Sequence, residues 1–206
     1  MRSRDYDMLK PHYVENYSRV SREELKDLRA VIDSAADERP VQAHLAANSR
    51  LLTVTVNGGH GRWLLPQVRL GAHYVADFLL AHGDSAGVWW TLVELESPTK
   101  PMFTQGGELA DRTRHAVDQV QSWRNWLREN GDHARKPRDQ SGLGLPGISE
   151  RSFGMVLIDR RANLADEDQW RRRLVFEQNL VSVHTYDWLL DTIQARIENA
   201  PLPSGF

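Results

Sequence analysis

Residues 71–98 contain two short apolar segments, and acidic residues interrupt both of them. Asp77 lies in the first segment, and Glu94 and Glu96 lie in the second. Both segments are rich in β-branched and aromatic residues, and the polar stretch 81–87 between them holds two glycines, which predicts a β-hairpin. A hairpin folded about residue 84 would bring Asp77 close to Glu94.

Carboxylates are rare inside apolar strands, because burying an unpaired charge is costly or shifts its pKa. Side chains alternate along a strand, so Glu94 and Glu96 face the same side of the predicted sheet. A divalent cation would remove the repulsion among the three acids, and hard cations such as Mg²⁺ prefer oxygen ligands. The acids therefore either converge on one metal ion or lie on a solvated face, where arginines would pair with them.

The composition limits the class of protein. The chain has 206 residues, which suits one domain or one domain with an arm, and its formal net charge is −2. Binding to nucleic acid would therefore need a local basic patch. The absence of cysteine excludes disulfides and thiolate sites, and no apolar run approaches the roughly 20 residues of a membrane span. We expect a cytoplasmic protein that does not cross a membrane.

The order of predicted elements is that of an α/β protein with one mixed sheet. Pro66 interrupts one predicted strand and indicates an edge or bulge position. We expect residues 1–35 to form an N-terminal helical arm and residues 36–200 to form the main domain. Helices are predicted after Ser21, at about 36–47, 108–130 and 166–178, and after Thr185; strands are predicted at 51–56, 62–69, 153–158 and 180–184, beside the two acid-bearing strands.

Polar residues gather on the predicted helices near the acids. Arg112, His115 and Gln119 share one flank of the apolar stripe of the long helix. Arginines of this helix are candidate contacts for phosphate groups, namely Arg112, Arg114 and Arg124. On the helix at 36–47, Glu38 and Gln42 share a face because they lie four residues apart. Glu38 is either a further active-site acid or an ordinary solvated glutamate at a helix start.

Several short motifs follow one another in a definite order. They are Ala76-Asp77-Phe78-Leu79, Val93-Glu94-Leu95-Glu96-Ser97-Pro98, Met102-Phe103-Thr104, His115-Ala116-Val117-Asp118-Gln119-Val120, Trp123-Arg124-Asn125-Trp126-Leu127, Val156-Leu157-Ile158-Asp159-Arg160 and Thr185-Tyr186-Asp187-Trp188-Leu189-Leu190. Together they resemble the C-terminal nuclease domain of the Shedu family of bacterial anti-phage defence proteins, and more distantly the PD-(D/E)XK nuclease superfamily. The resemblance covers about residues 36–195. It implies an α/β, restriction-endonuclease-like core with a central mixed β-sheet flanked by helices.

The resemblance also implies an activity and roles for individual residues. It implies a metal-dependent endonuclease that hydrolyses DNA phosphodiester bonds in anti-phage defence, and we further expect it to form a homo-oligomer. Asp77 and Glu94 would hold Mg²⁺ or Mn²⁺, with the backbone carbonyl of Leu95 as a further ligand. Gln119 matches a helix glutamine that supports the active site, and Glu38 matches an acid of the first helix.

One residue departs from the superfamily pattern. Glu96 stands where these nucleases usually carry lysine, which would stabilise charge on the phosphate or orient the attacking water. A carboxylate at this place would instead accept a proton or bind a second metal. Lys100, six residues beyond Glu94, is a candidate for the missing positive charge and for contact with nucleic acid.

Two other functions are open on the sequence alone. The chain could be a non-catalytic module that keeps the nuclease fold and binds nucleic acid or a protein. It could also be a metal-independent hydrolase of carbohydrates or nucleotides, with Asp77 and Glu94 as an acid–base pair.

Overall fold

A computed structural model describes residues 3–57 and 59–199, so the expected end of the main domain at residue 200 lies outside the described residues. Within them, five strands form one sheet in the order β1 (Arg62–Leu70), β2 (Tyr74–Asp84), β3 (Gly87–Leu95), β4 (Phe153–Leu157) and β5 (Val181–His184). The strands β1 to β3 are antiparallel neighbours, whereas β4 and β5 run parallel to β3. The predicted mixed sheet is therefore confirmed.

Helices pack on both faces of this sheet, which confirms the predicted restriction-endonuclease-like α/β architecture. No described helix has both the length and the apolar character that a membrane span needs. The helices are α1 (Ser3–Leu9), α2 (Arg22–Ser34), α3 (Arg39–Ala47), α4 (Arg50–Thr53), α5 (Asp111–Arg135), α6 (Asp168–Asn179) and α7 (Tyr186–Asn199), with short 3₁₀ helices at Lys10–His12, Arg138–Gln140 and Arg161–Asn163.

Alternation along the strands creates two hydrophobic cores. Leu79 of β2 packs in the core that also contains Trp123 of α5. Its neighbour Leu80 points the other way, into the core that contains Leu189 of α7. Because successive side chains of a strand face opposite sides and helices cover both faces, the last six residues of the central strand β3 are all buried.

The start of α2 follows the predicted pattern. The Ser21 hydroxyl accepts a hydrogen bond from the Glu24 N–H (3.1 Å), and the Glu24 carboxylate accepts one from the Ser21 N–H (2.8 Å). This reciprocal pair is a capping box, which satisfies backbone donors that a helix start leaves free. Leu28 and Ile32 of the same helix are fully buried in the core that α7 also lines.

The predicted strand at 51–56 is wrong, because this segment begins with the short helix α4. Its β-branched residues favour a strand in isolation. The hydroxyl of Thr53 instead bonds the Arg50 carbonyl (3.0 Å), and that of Thr55 bonds the Leu52 carbonyl (2.7 Å). Such local bonds compete with sheet pairing, and burial of Leu51 and Leu52 adds to their effect. The edge position indicated by Pro66 is confirmed, since β1 is an edge strand.

The long helix α5 carries a buried arginine. Arg124 was expected among the candidate phosphate contacts, but it is 5% exposed, so that expectation is wrong. Its guanidinium donates hydrogen bonds to the carbonyls of Ser152 (2.7 Å) and Leu180 (2.8 Å) and also to that of Asn179. The last two carbonyls lie at the end of α6, so Arg124 caps that helix from the neighbouring one.

We expect Arg124→Met to lower the free energy of unfolding by about 2–4 kcal/mol, because several buried carbonyls lose their donors. Urea unfolding followed by circular dichroism measures the change. Arg128→Met is the matched control on the exposed side of α5 and should stay within about 0.5 kcal/mol of wild type. Equal effects of the two substitutions would contradict a capping role for Arg124.

Candidate active site

The acidic residues meet where the pairing of β2 with β3 ends. The register pairs Phe78 with Val93, so the next positions along the two strands carry Asp77 and Glu94. There the Leu95 N–H donates a hydrogen bond to Asp77 Oδ2 (2.8 Å). The hairpin therefore brings Asp77 beside Glu94, as the sequence predicted. At its turn, Asp84 pairs with Gly87.

A cavity of about 280 Å³ opens at this end of the sheet, and its lining is almost wholly polar. It brings together residues from α3, β1, β2, β3 and α5 that are far apart in the chain. All five predicted catalytic residues line it: Glu38, Asp77, Glu94, Glu96 and Gln119. Leu95, whose carbonyl is the expected third metal ligand, also lines the cavity.

The candidate cationic residues differ in their relation to this cavity. Arg112 and His115 line it from the first turns of α5. Arg114, on the same helix, is not among the lining residues and bonds Asp111 (3.1 Å) and the Leu109 carbonyl (2.9 Å). Lys100 is exposed in the turn after β3 and does not line the cavity.

Two glutamines hold the Asp77 carboxylate, and neither was among the predicted site residues. Gln42 of α3 and Gln67 of β1 both donate to Asp77 Oδ1, the latter over 3.1 Å. The shared face of Glu38 and Gln42 was visible in their four-residue spacing. The only signal for Gln67 was the neighbouring Pro66, which indicated an irregular strand but gave no direction for the glutamine side chain.

Gln67 adopts an unusual backbone conformation. Its φ is 50°, in the left-handed region that residues other than glycine rarely occupy. The flanking pairs Pro66–Phe78 and Val68–Ala76 keep the ladder in register on both sides of it. Backbone strain of this kind persists only where the surroundings enforce it and is common at functional sites.

Burial dominates the electrostatics of the acids. Glu94 is 7% exposed, and burial, followed by the nearby charges of Asp77 and Glu96, raises its pKa to about 10. Burial also raises the pKa of Asp77, although the hydrogen bond from the Leu95 N–H opposes the shift. The pKa of Glu96 is likewise raised by burial, and the positive charges of Arg112 and His115 oppose that rise.

The donor set suits a hard cation. Glu94 Oε2 is buried and no hydrogen-bond donor of the described residues reaches it, so one carboxyl oxygen lacks a partner. A bound cation would satisfy this atom and offset the repulsion that raises the acids' pKa values. No three His, Cys, Asp or Glu side chains in the described part of the chain form a ready-made metal cluster. The expected ligands include only two such side chains, and their role as ligands stays a prediction.

A buried tyrosine holds the backbone at Glu96. Tyr186, at the start of α7, is fully buried, and its hydroxyl donates to the backbone carbonyl of Glu96 (2.7 Å). Burial raises the pKa of this phenol well above its usual value, so it remains a donor. The bond ties the end of β3 to α7 and fixes the backbone that carries Glu96.

We expect Glu94→Gln to stabilise the metal-free protein increasingly as pH rises. The folded protein keeps the Glu94 proton up to about pH 10, whereas the unfolded chain releases it near 4.5. The free energy of unfolding of the wild type therefore falls as pH rises between these values. For one group, the slope approaches about 1.4 kcal/mol per pH unit. Urea unfolding in EDTA between about pH 5 and pH 8 measures the difference between the two proteins. A difference that does not change with pH would show that Glu94 ionises normally.

A comparison with known proteins gives the family. No curated protein matches the chain. A family model described as "Shedu protein SduA, C-terminal" matches residues 35–190, about three quarters of the chain. The matched region contains the sheet and the cavity residues just described. The chain therefore belongs to the family of the C-terminal domain of the Shedu protein SduA, which is a family of anti-phage defence proteins.

Proposed function

We propose that the chain is a metal-dependent nuclease that hydrolyses DNA phosphodiester bonds in anti-phage defence. The observation that carries this proposal is the meeting of Asp77, Glu94 and Glu96 in one polar cavity at the end of the sheet. Membership in the Shedu family and the resemblance to PD-(D/E)XK nucleases support it. DNA is the expected substrate because the resemblance is to DNA-cutting enzymes.

Asp77, Glu94 and the Leu95 carbonyl would hold Mg²⁺ or Mn²⁺. Such an ion, when bound, supplies polarisation of the scissile phosphate and a lower pKa for the attacking water. The chain's own contribution begins with the Asp77 carboxylate, which Gln42 and Gln67 hold from one side and the Leu95 N–H holds from the other. Ligands fixed in this way would not need to reorganise when the ion binds.

Glu96 and Arg112 would together take the roles that a lysine has in related nucleases. Arg112 lines the cavity, and its charge acts on Glu96, so a cation is present where the substrate phosphate would enter. A guanidinium can bind phosphate oxygens with two parallel hydrogen bonds. Glu96, whose pKa burial raises, would accept the proton of the attacking water. His115 lines the same side of the cavity and also acts on the charge of Glu96.

Glu96 also favours the second candidate function, a nuclease-fold module that binds nucleic acid without cutting it. In that case the absence of the usual lysine would leave the cavity inactive. Binding of DNA in a gel-shift assay without any metal-dependent product would support this alternative.

We expect Asp77→Asn and Glu94→Gln each to lower cleavage at least about a hundredfold, because several kcal/mol of charge stabilisation are lost and about 1.4 kcal/mol corresponds to a factor of ten. Plasmid and linear DNA incubated with Mg²⁺, Mn²⁺ or EDTA measure the activity. Circular dichroism checks that each variant is folded.

Three outcomes of this assay are informative. Cleavage that needs metal and disappears in both variants supports the proposal. Equal cleavage by wild type and variants would refute the role of these acids. Cleavage that continues in EDTA would favour the metal-independent acid–base hydrolase.

We expect Arg112→Ala to lower cleavage at least about tenfold, since a charge-assisted phosphate contact worth about 1.4 kcal/mol would be lost. Lys100→Ala is the matched control, because Lys100 lies outside the cavity lining. Initial rates of plasmid nicking measure both variants. A large loss with Lys100→Ala and none with Arg112→Ala would reverse the assignment and make the lysine the substitute cation.

A further inference from the structure

A second arginine, Arg39, lines the cavity at the first position of α3. This residue is exposed, and no ion pair between described residues includes it. Its backbone N–H bonds Asp37 Oδ1 (3.0 Å), which fixes the main chain at the helix start. An unpaired guanidinium at the wall of a cavity is available to bind an oxyanion.

The packing of α3 explains why Arg39 lies at the cavity. Val41 and Leu45 are fully buried in the core that α7 also lines, so they fix one side of the helix. The side chain of Gln42 bonds Asp77, so the side of α3 that carries Gln42 turns towards the acids. Arg39 lies three residues before Gln42, and residues with this spacing are neighbours on a helix surface.

The two arginines of the cavity reach it from opposite faces of the sheet. Leu45 of α3 packs in one hydrophobic core, whereas Trp123 of α5 packs in the other. Arg39 therefore stands on the other side of the acids from Arg112. A strand of nucleic acid that passes the acids would meet a guanidinium on each side of them.

The charge of the cavity shows why a second cation is needed. Four carboxyl groups line it, and their charges oppose the entry of a polyanion: Glu38, Asp77, Glu94 and Glu96. One divalent ion would offset at most two of these charges and would act at the scissile phosphate. The neighbouring phosphates of the strand would still approach carboxylates. Their binding therefore requires positive side chains at the cavity wall.

We propose that Arg39 binds the phosphate group next to the scissile phosphate on the cleaved strand, while Arg112 binds the scissile phosphate. Contacts to neighbouring phosphates fix the register of a strand, so Arg39 would hold the scissile bond beside the acids. The inference rests on the proposed function for the position of the scissile bond. An inert module that binds DNA in this cavity would use Arg39 in the same way.

The salt dependence of DNA binding tests this contact. We expect Arg39→Gln to lower the affinity at least about tenfold and to reduce the slope of log K against log[salt] by about 0.9, the value for one phosphate contact. Arg39→Lys keeps the charge and should restore most of the slope. Fluorescence anisotropy of a labelled duplex measures binding, with Ca²⁺ in place of Mg²⁺ and a gel to confirm that the DNA stays intact.

Arg128→Gln is the matched control. It removes the same charge from an exposed position of α5, about 24 Å along the helix from Arg112. We expect its affinity and slope to equal those of wild type. Circular dichroism checks that all variants are folded.

Steady-state kinetics in Mg²⁺ separate binding from chemistry. We expect Arg39→Gln to raise KM for plasmid nicking about tenfold and to leave kcat within about twofold of wild type, because the contact is made equally in the bound substrate and the transition state. A lower kcat with an unchanged salt slope would overturn the inference, since Arg39 would then act on the chemistry.

The two assays distinguish this inference from the proposed function. A wild type that cuts DNA, with Arg39→Gln unchanged in slope and KM, would refute the role of Arg39 alone. Equal effects of Arg39→Gln and Arg128→Gln would refute it as well. A wild type that binds DNA without cutting it, with a reduced slope in Arg39→Gln, would support the inference and count against the proposed catalysis. A wild type that does not bind DNA would overturn the inference.

Discussion

Burial of the Glu94 carboxyl at the end of β3 is the constraint on which the arrangement of the surrounding groups depends. An acid in an apolar strand needs either a proton or a cation, and here burial and two neighbouring acids oppose its ionisation. The polar groups of α3, β1 and α5 turn towards this point. They form a cavity within a fold whose two cores are otherwise apolar.

The helix α5 connects the packing of the protein with its chemistry. Its first turns bring Arg112, His115 and Gln119 to the cavity, while Trp123 lies fully buried in the core beneath the sheet. Farther along, Arg124 holds the end of α6. The position of the cavity's cationic wall is therefore fixed by the same helix that organises one hydrophobic core. Positive charge therefore lines one side of the cavity although the chain as a whole has a net charge of −2.

The sequence predicted features that local chemistry determines. The acid-bearing hairpin, the capping box at Ser21 and the edge strand at Pro66 each depend on a few neighbouring residues, and all three occur in the structure. Features that depend on distant contacts were missed. Gln67 and Tyr186 reach the site only after folding brings their strand and helix to it, and Arg124 is buried because its partners come from two other segments.

With the proposed ion bound at Glu94, the raised pKa of this carboxyl would tie metal uptake to proton release. A carboxyl that holds its proton up to about pH 10 must give that proton up before it can act as a ligand. Ions and protons would thus compete for the same oxygen atoms. At a fixed concentration of Mg²⁺, a more acidic solution would leave more of the protein without its ion. The fraction of cavities that hold a metal ion would be highest under alkaline conditions. This fraction would depend on pH as well as on the metal concentration.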